Sequence, residues 1–426
     1  MELSQIDPEL EAFEKLRVRE VSTYEYPSAS AFLAKFQSSA ASLEPDERIK
    51  LVMAYAHEDV ESLKTVLSHP QANKICSLEW WYNGKEDVNS IIPLLINNCP
   101  ELTSLNVRFE HHSEFDFVSS IFEHPSNKLK VLEMPKYAKR GSARFFAALG
   151  QSQVSALTLT SSYLPEFTQG LYEYLAKDLL VRLKVRMGEE QATSEMMMSL
   201  AQCTRLVELK LTGCEFSQPT AFTLPKSITK LVLHDCQFIG VDWSFLAGSN
   251  VRELDLYNVK GVDGNQLGSA LADYLRAKGL NKLRFCNCNF INKTLAVVGV
   301  ELGRIKRFYL ESSNLNGTSV ELIALALQSP NNEMKELKLE DAYSTMNGIN
   351  DYLVPALKHP NCNLDKLVLW AYELEHEEAT SRVTYTFLKR RALFALLQGK
   401  QVRRRSPCPL RRLPVEMFRL VGAMFL

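Results

Sequence analysis

Residues 251–288 read VRELDLYNVKGVDGNQLGSALADYLRAKGLNKLRFCNC. The stretch carries one hexamer twice, apolar-x-x-apolar-x-apolar: VRELDL from Val251 and LNKLRF from Leu280. Side chains of a strand alternate with period two, so the fourth and sixth positions share a face. Leu254 with Leu256, and Leu283 with Phe285, therefore point into a core, and the first position anchors the chain as it enters the strand. Between the two hexamers, LGSALADYLRAKG has apolar residues at three- and four-residue spacing, which predicts a helix. A crossover between parallel strands needs a dozen or more residues, and this helix supplies them.

The same hexamer recurs on both sides. Upstream it reads ICSLEW from Ile75, LTSLNV from Leu102, LKVLEM from Leu129, VSALTL from Val154, LVRLKV from Leu180, LVELKL from Leu206 and ITKLVL from Ile228. Downstream it reads IKRFYL from Ile305, MKELKL from Met334 and LDKLVL from Leu364. The twelve starts lie 22 to 30 residues apart, about 26 on average, which is the period of a leucine-rich repeat. One repeat cannot bury its own apolar face. Stacked repeats can, so the pattern predicts an α/β solenoid with a parallel β-sheet on the concave face and helices and irregular segments on the convex face. DVNSIIPLLINNCP, TSVELIALALQSP and GINDYLVPALKHP repeat the helical spacing. His69-Pro70, Cys99-Pro100, His124-Pro125, Ser329-Pro330 and His359-Pro360 end such segments, because the residue before proline is driven out of the helical region. TGCEFSQPTAFTLPKS has two prolines and no helical period, which predicts an irregular or 3₁₀ outer segment.

The blocks ALKHPNCNLDKLVLW (Ala356–Trp370), LVELKLTGC, ITKLVLHDC and LNKLRFCNC resemble the repeats of intracellular leucine-rich-repeat proteins of the ribonuclease-inhibitor type. In that family a cysteine or asparagine follows the strand, and Cys214, Cys236 and Cys288 hold that place here. Val259 and Ala342 hold it in two other copies, and repeat lengths are irregular. The resemblance spans roughly residues 75–375 and implies a horseshoe that binds proteins.

The third, fifth and seventh positions of each copy face away from the core. Trp81, Arg108, Arg182, Lys184, Arg186, Tyr257, Arg284, Arg307, Tyr309 and Trp370 fall there. Aromatic residues and arginine dominate interface hot spots, so these ten are the candidate partner-binding residues of the concave face.

Charge is divided unevenly. The chain has 49 basic and 50 acidic residues, a net charge of −1. Residues 382–426 alone carry 11 basic side chains and one acid, Glu416, so the preceding 381 residues hold a net −11. This division predicts three regions: a helical N-terminal cap over 1–74, the solenoid over 75–381, and a basic C-terminal cap or tail over 382–426. In the cap, ASAFLAKFQSSAA, PDERIKLVMAYA and EDVESLKTVLSHP read as short amphipathic helices. In the tail, Lys389–Arg391 and Arg403–Arg405 are spaced like a bipartite nuclear-import signal, and LPVEMFRLVGAMFL resembles the opening of an F-box.

Catalytic motifs are absent: there is no Gly-rich phosphate loop, no G-x-S-x-G and no H-E-x-x-H. Cys286 and Cys288 form a C-x-C, but a structural zinc needs four ligands, and two repeat cysteines are the simpler reading. No cofactor or metal is expected. Nine scattered cysteines and no apolar leader predict reduced thiols in a cytoplasmic or nuclear protein. The expected function is a non-enzymatic scaffold that holds a protein partner on its concave face. No small-molecule substrate or membrane is expected, and nucleic acid only through the basic tail. An F-box-like substrate receptor of a ubiquitin ligase and a GTPase-activating regulator are the alternatives. The latter would need an exposed arginine or asparagine reaching a nucleotide, and the sequence nominates none.

Overall fold

Every one of the twelve hexamers forms a strand. A computed structural model of the chain describes residues 17–22, 29–53, 60–82, 87–109, 114–134, 142–160, 165–186, 194–217, 224–313, 315–340, 349–370, 383–384 and 387–388. The chain divides into two compact units, residues 1–241 and 242–426.

The first unit carries seven of the hexamers, as β3 (Ile75–Tyr82), β4 (Ser104–Phe109), β5 (Val131–Met134), β6 (Ala156–Thr160), β7 (Arg182–Arg186), β8 (Glu208–Thr212) and β10 (Lys230–His234). All pair in parallel with their neighbours in chain order. The fourth positions Leu78, Leu105, Leu132, Leu157, Leu183, Leu209 and Leu231 stand in register, each at most 1% exposed. Burying one leucine contributes about 1.5–3 kcal/mol, and this row gives every strand the same reason to keep its register.

Residues 1–74 hold more than helices. β1 (Arg17–Ser22) and β2 (Glu47–Met53) extend the parallel order onto β3. The helices expected at ASAFLAKFQSSAA and within EDVESLKTVLSHP form, at Ala29–Ala41 and Val60–Leu67. PDERIKLVMAYA is not a helix where it is described: Ile49, Leu51, Val52 and Met53 are buried in a strand. Two branched residues and the open edge of β3 favour extended backbone there. TGCEFSQPTAFTLPKS, expected to be irregular or 3₁₀, opens instead on a short strand at EFS, which pairs with QFI of the next repeat. These are β9 (Glu215–Ser217) and β11 (Gln237–Ile239), a two-stranded parallel sheet in which Phe216 stacks on Phe238.

The second unit carries the other five hexamers, as β12 (Glu253–Tyr257), β13 (Leu280–Cys286), β14 (Ile305–Glu311), β15 (Glu336–Glu340) and β16 (Lys366–Trp370), again parallel and consecutive. The LGSALADYLRAKG helix spans Gly264–Ala277 and lies against the helix Ile291–Val298. A Cβ at Gly268 would stand 2.7 Å from Val297 Cβ and 2.9 Å from the Thr294 carbonyl oxygen, so only glycine allows this approach.

Chain exits from the strands share one device. Gly213, Asp235, Asn258, Asn287 and Ser312 all have positive φ, between 46° and 71°. Within the second unit, the N–H of Asn258, Asn287 and Ser312 each donates to a carbonyl of the next repeat, at 2.8–2.9 Å. The next residue is Cys236 in the first unit and Cys288 in the second, and its thiol donates to a strand carbonyl at 3.5 Å. The C-x-C is thus a pair of repeat cysteines, and both are buried. Burial pushes the Cys288 thiol up to about 11, which keeps it protonated and unreactive. The histidines before proline are also structural. Nδ1 of His69, His124 and His359 accepts from the N–H two residues on, at 3.2–3.3 Å.

The outer helices are too short to cross a membrane: among the described residues no helix is long and apolar enough to do so. The basic clusters and LPVEMFRLVGAMFL of the tail lie outside the described residues, as does the side chain of Trp370.

Candidate functional site

The third, fifth and seventh positions of each strand form a face that leucine burial turns outward. Along β7 and β10 they alternate regularly with buried residues. The candidate residues other than Trp370 lie on this face in separate groups, and their surroundings differ.

On β3 and β4, Trp81 and Arg108 are register neighbours. The Arg108 guanidinium lies 4.1 Å from the Trp81 ring centre, a cation–π contact that fixes both side chains. Nearby, Asn106 donates to Glu133 at 3.2 Å, and Lys50 bridges to Glu20 and Glu79 at 3.1 and 3.3 Å.

On β7, Arg182, Lys184 and Arg186 occupy the three outward positions, and β8 and β10 extend the group. Register places Arg182 beside Glu208 and Glu208 beside Lys230; Lys184 stands beside Lys210. Glu208 accepts from both flanks, Arg182 at 3.3 Å and Lys230 at 2.9 Å. The side chains of Lys184, Arg186 and Lys210 make no hydrogen bond or ion pair among the described residues. Lys210 and Lys230 belong to this group although the initial candidates omit them; the same positional rule applied to LVELKL and ITKLVL finds both.

In the second unit, Arg284, Arg307 and Tyr309 are drawn together, but into a ladder that engages all of them. Arg284 Nε donates to Glu311 at 3.1 Å and Nη1 lies 3.3 Å from Asp255. Arg307 reaches across β13 to Glu253 at 2.6 Å. The Tyr309 hydroxyl donates to Glu336 at 2.8 Å, and Lys282 sits 5.3 Å over its ring. Lys338 bridges Glu311 and Glu340, each at 2.9 Å, and Lys366 reaches Glu336 at 2.5 Å. Burial pushes the Glu311 carboxyl up, but hydrogen bonds and charge from Arg284 and Lys338 outweigh it and hold it below the usual carboxylate range. Glu336 is lowered in the same way by Lys366 and Tyr309. Burial first, then the Glu336 hydrogen bond and charge, push the Tyr309 phenol up to about 12. Tyr257 stands at the end of β12, 36% exposed, with Cys286 as its register neighbour.

Among the described residues no group of three or more His, Cys, Asp or Glu is arranged to hold a metal. The strand face presents charge, ring faces and hydrogen-bond donors on a parallel sheet.

No family model matches the chain, and no curated protein matches it. Solved structures do align. An internalin from Listeria monocytogenes str. 4b F2365 aligns at 12% identity over 81% of this chain and 96% of that one, with a TM-score of 0.39. The yeast Rad7 and Elc1 complex aligns at 15% identity over 81% of this chain and 85% of that one, with a TM-score of 0.45. At these scores the fold rests on the chain's own repeats and strand register, which are those of a leucine-rich-repeat solenoid.

Proposed function

We propose that the protein is a non-enzymatic interaction scaffold that holds a protein partner on its outward strand face. One observation carries this reading. Twelve strands commit their alternate side chains to the core, and the remaining positions display arginine, lysine and aromatic rings. Arginine and the aromatic rings among them are the common anchors of protein interfaces. Repeats of the ribonuclease-inhibitor type, which these blocks resemble, suit that role.

Affinity capture from cell extract, with the full chain as bait, tests the reading. Trp81→Ala with Arg108→Ala should lose the specific partner. Arg144→Ala, which cuts an exposed bridge to Glu123 on the outer helices, should keep it. Equal capture by all three baits would reject the strand face as the binding surface.

A further inference from the structure

We infer that the β7–β8–β10 part of the strand face is a docking site for a short acidic segment of a protein partner. This rests on the reading above that the strand face holds a protein; it adds which part of the face and what chemistry.

Three observations point there. The first is composition. Arg182, Lys184, Arg186, Lys210 and Lys230 are five cations on three neighbouring strands, against the single carboxylate of Glu208. The second is that the charges are left over. Glu208 already serves Arg182 and Lys230, while Lys184, Arg186 and Lys210 find no partner among the described residues. Like charges directly opposite on neighbouring strands are destabilising, and Lys184 faces Lys210. A surface that accepts this cost within the folded protein gains from an anion that removes it. The third is extent. Three strands at about 4.8 Å and five residues at about 3.3 Å give a patch of about 10 by 13 Å, the size of four or five residues of extended peptide.

The borders favour a peptide over a nucleic acid. The next strand, β6, turns Ala156, Thr158 and Thr160 outward, with no charge. Beyond it Glu133 and Glu79 stand on the face. A phosphate backbone needs a basic track along its length, and the uncharged outward positions of β6 interrupt one beside the patch. A few carboxylates flanked by neutral residues match both the patch and its rim.

Fluorescence anisotropy with the full-length chain tests this. The probes are a fluorescein-labelled peptide of six glutamates, a peptide of six lysines and a labelled 15-mer of deoxythymidine. Lys184→Glu with Lys210→Glu should weaken the glutamate peptide at least tenfold and create measurable affinity for the lysine peptide. Arg404→Glu with Arg405→Glu, in the basic tail, should leave the glutamate peptide within twofold. The double variant should melt near the wild-type temperature, which shows that the loss is not unfolding, and the single change Lys184→Glu, which sets a glutamate opposite Lys210, should raise it. Loss on the tail variant alone, or no effect of Lys184→Glu with Lys210→Glu, overturns the proposal. So does the oligonucleotide binding more tightly than the peptide through the same lysines. If the native partner is still lost from Trp81→Ala with Arg108→Ala while the glutamate peptide ignores Lys184 and Lys210, the strand-face reading stands and only this site fails.

Discussion

The two units display outward faces of the same geometry with opposite electrostatic bookkeeping. On β12–β16, Lys282, Arg284, Arg307, Lys338 and Lys366 meet Glu253, Asp255, Glu311, Glu336 and Glu340, five against five, and each cation lies within 4 Å of a carboxylate. On β7, β8 and β10 five cations meet one acid. Strand pairing, leucine burial and spacing are the same in both places, so the fold does not demand the excess. What the difference teaches is that the second unit's cations are spent on carboxylates of its own face, whereas Lys184, Arg186 and Lys210 are not, among the described residues.

The largest effect should come from breaking the paired face at its centre. Arg284→Met leaves Asp255 and Glu311 without their shared cation, and both side chains are only 15% and 12% exposed. Removing one partner of a buried charged hydrogen bond costs about 1–3 kcal/mol. Urea unfolding followed by circular dichroism should show the midpoint fall, and a midpoint within error of wild type would break the comparison.

Acid should undo the paired face next. Glu311 and Glu336 have folded-state values held below the ordinary one of about 4.3. A depressed carboxylate stabilises the fold above its unfolded value, and that contribution is lost as pH falls through the lower folded value. Urea midpoints measured from pH 6 down to pH 3 should therefore drop, and Glu311→Gln should flatten the slope. A slope unchanged by Glu311→Gln would mean the carboxylate is not held by Arg284 and Lys338. Smaller again is Tyr309→Phe, which deletes only the hydroxyl that donates to Glu336. About 0.5–1.5 kcal/mol is the usual worth of such a bond, and the same urea titration reads it.

Legibility in the sequence followed the range of the forces involved. The hexamer is local, and all twelve copies became strands because burial of the fourth and sixth positions is decided within six residues. The outward rule is equally local, and it found Arg182, Lys184 and Arg186. Pairing is not local: Arg284 finds Asp255 and Glu311 at separations of 29 and 27 residues, which only strand register brings together. Arg284, Arg307 and Tyr309 therefore look alike with Lys184 and Arg186 in the sequence and differ in the structure. β2 escaped for another reason. Its buried Leu51, Val52 and Met53 are consecutive, so neither a two-residue nor a helical period stands out.

The subtlest effect has the opposite sign from all the others. Lys210→Met keeps the aliphatic stem over the sheet and removes the charge that faces Lys184. Like-charge cross-strand pairs cost a few tenths of a kcal/mol up to about 1, so this substitution should raise the urea midpoint slightly. Its counterpart Lys338→Met, at the same repeat position in the other unit, removes bridges to Glu311 and Glu340 and should lower it. Salt separates charge from packing. Raising sodium chloride to 0.5 M shortens the screening length to about 4 Å, so the gain at Lys210 should shrink towards zero. If Lys210→Met instead destabilises as much as Lys338→Met, the lysine is held by contacts inside the fold. The β7–β10 cations would then be structural, and the contrast between the two faces would collapse.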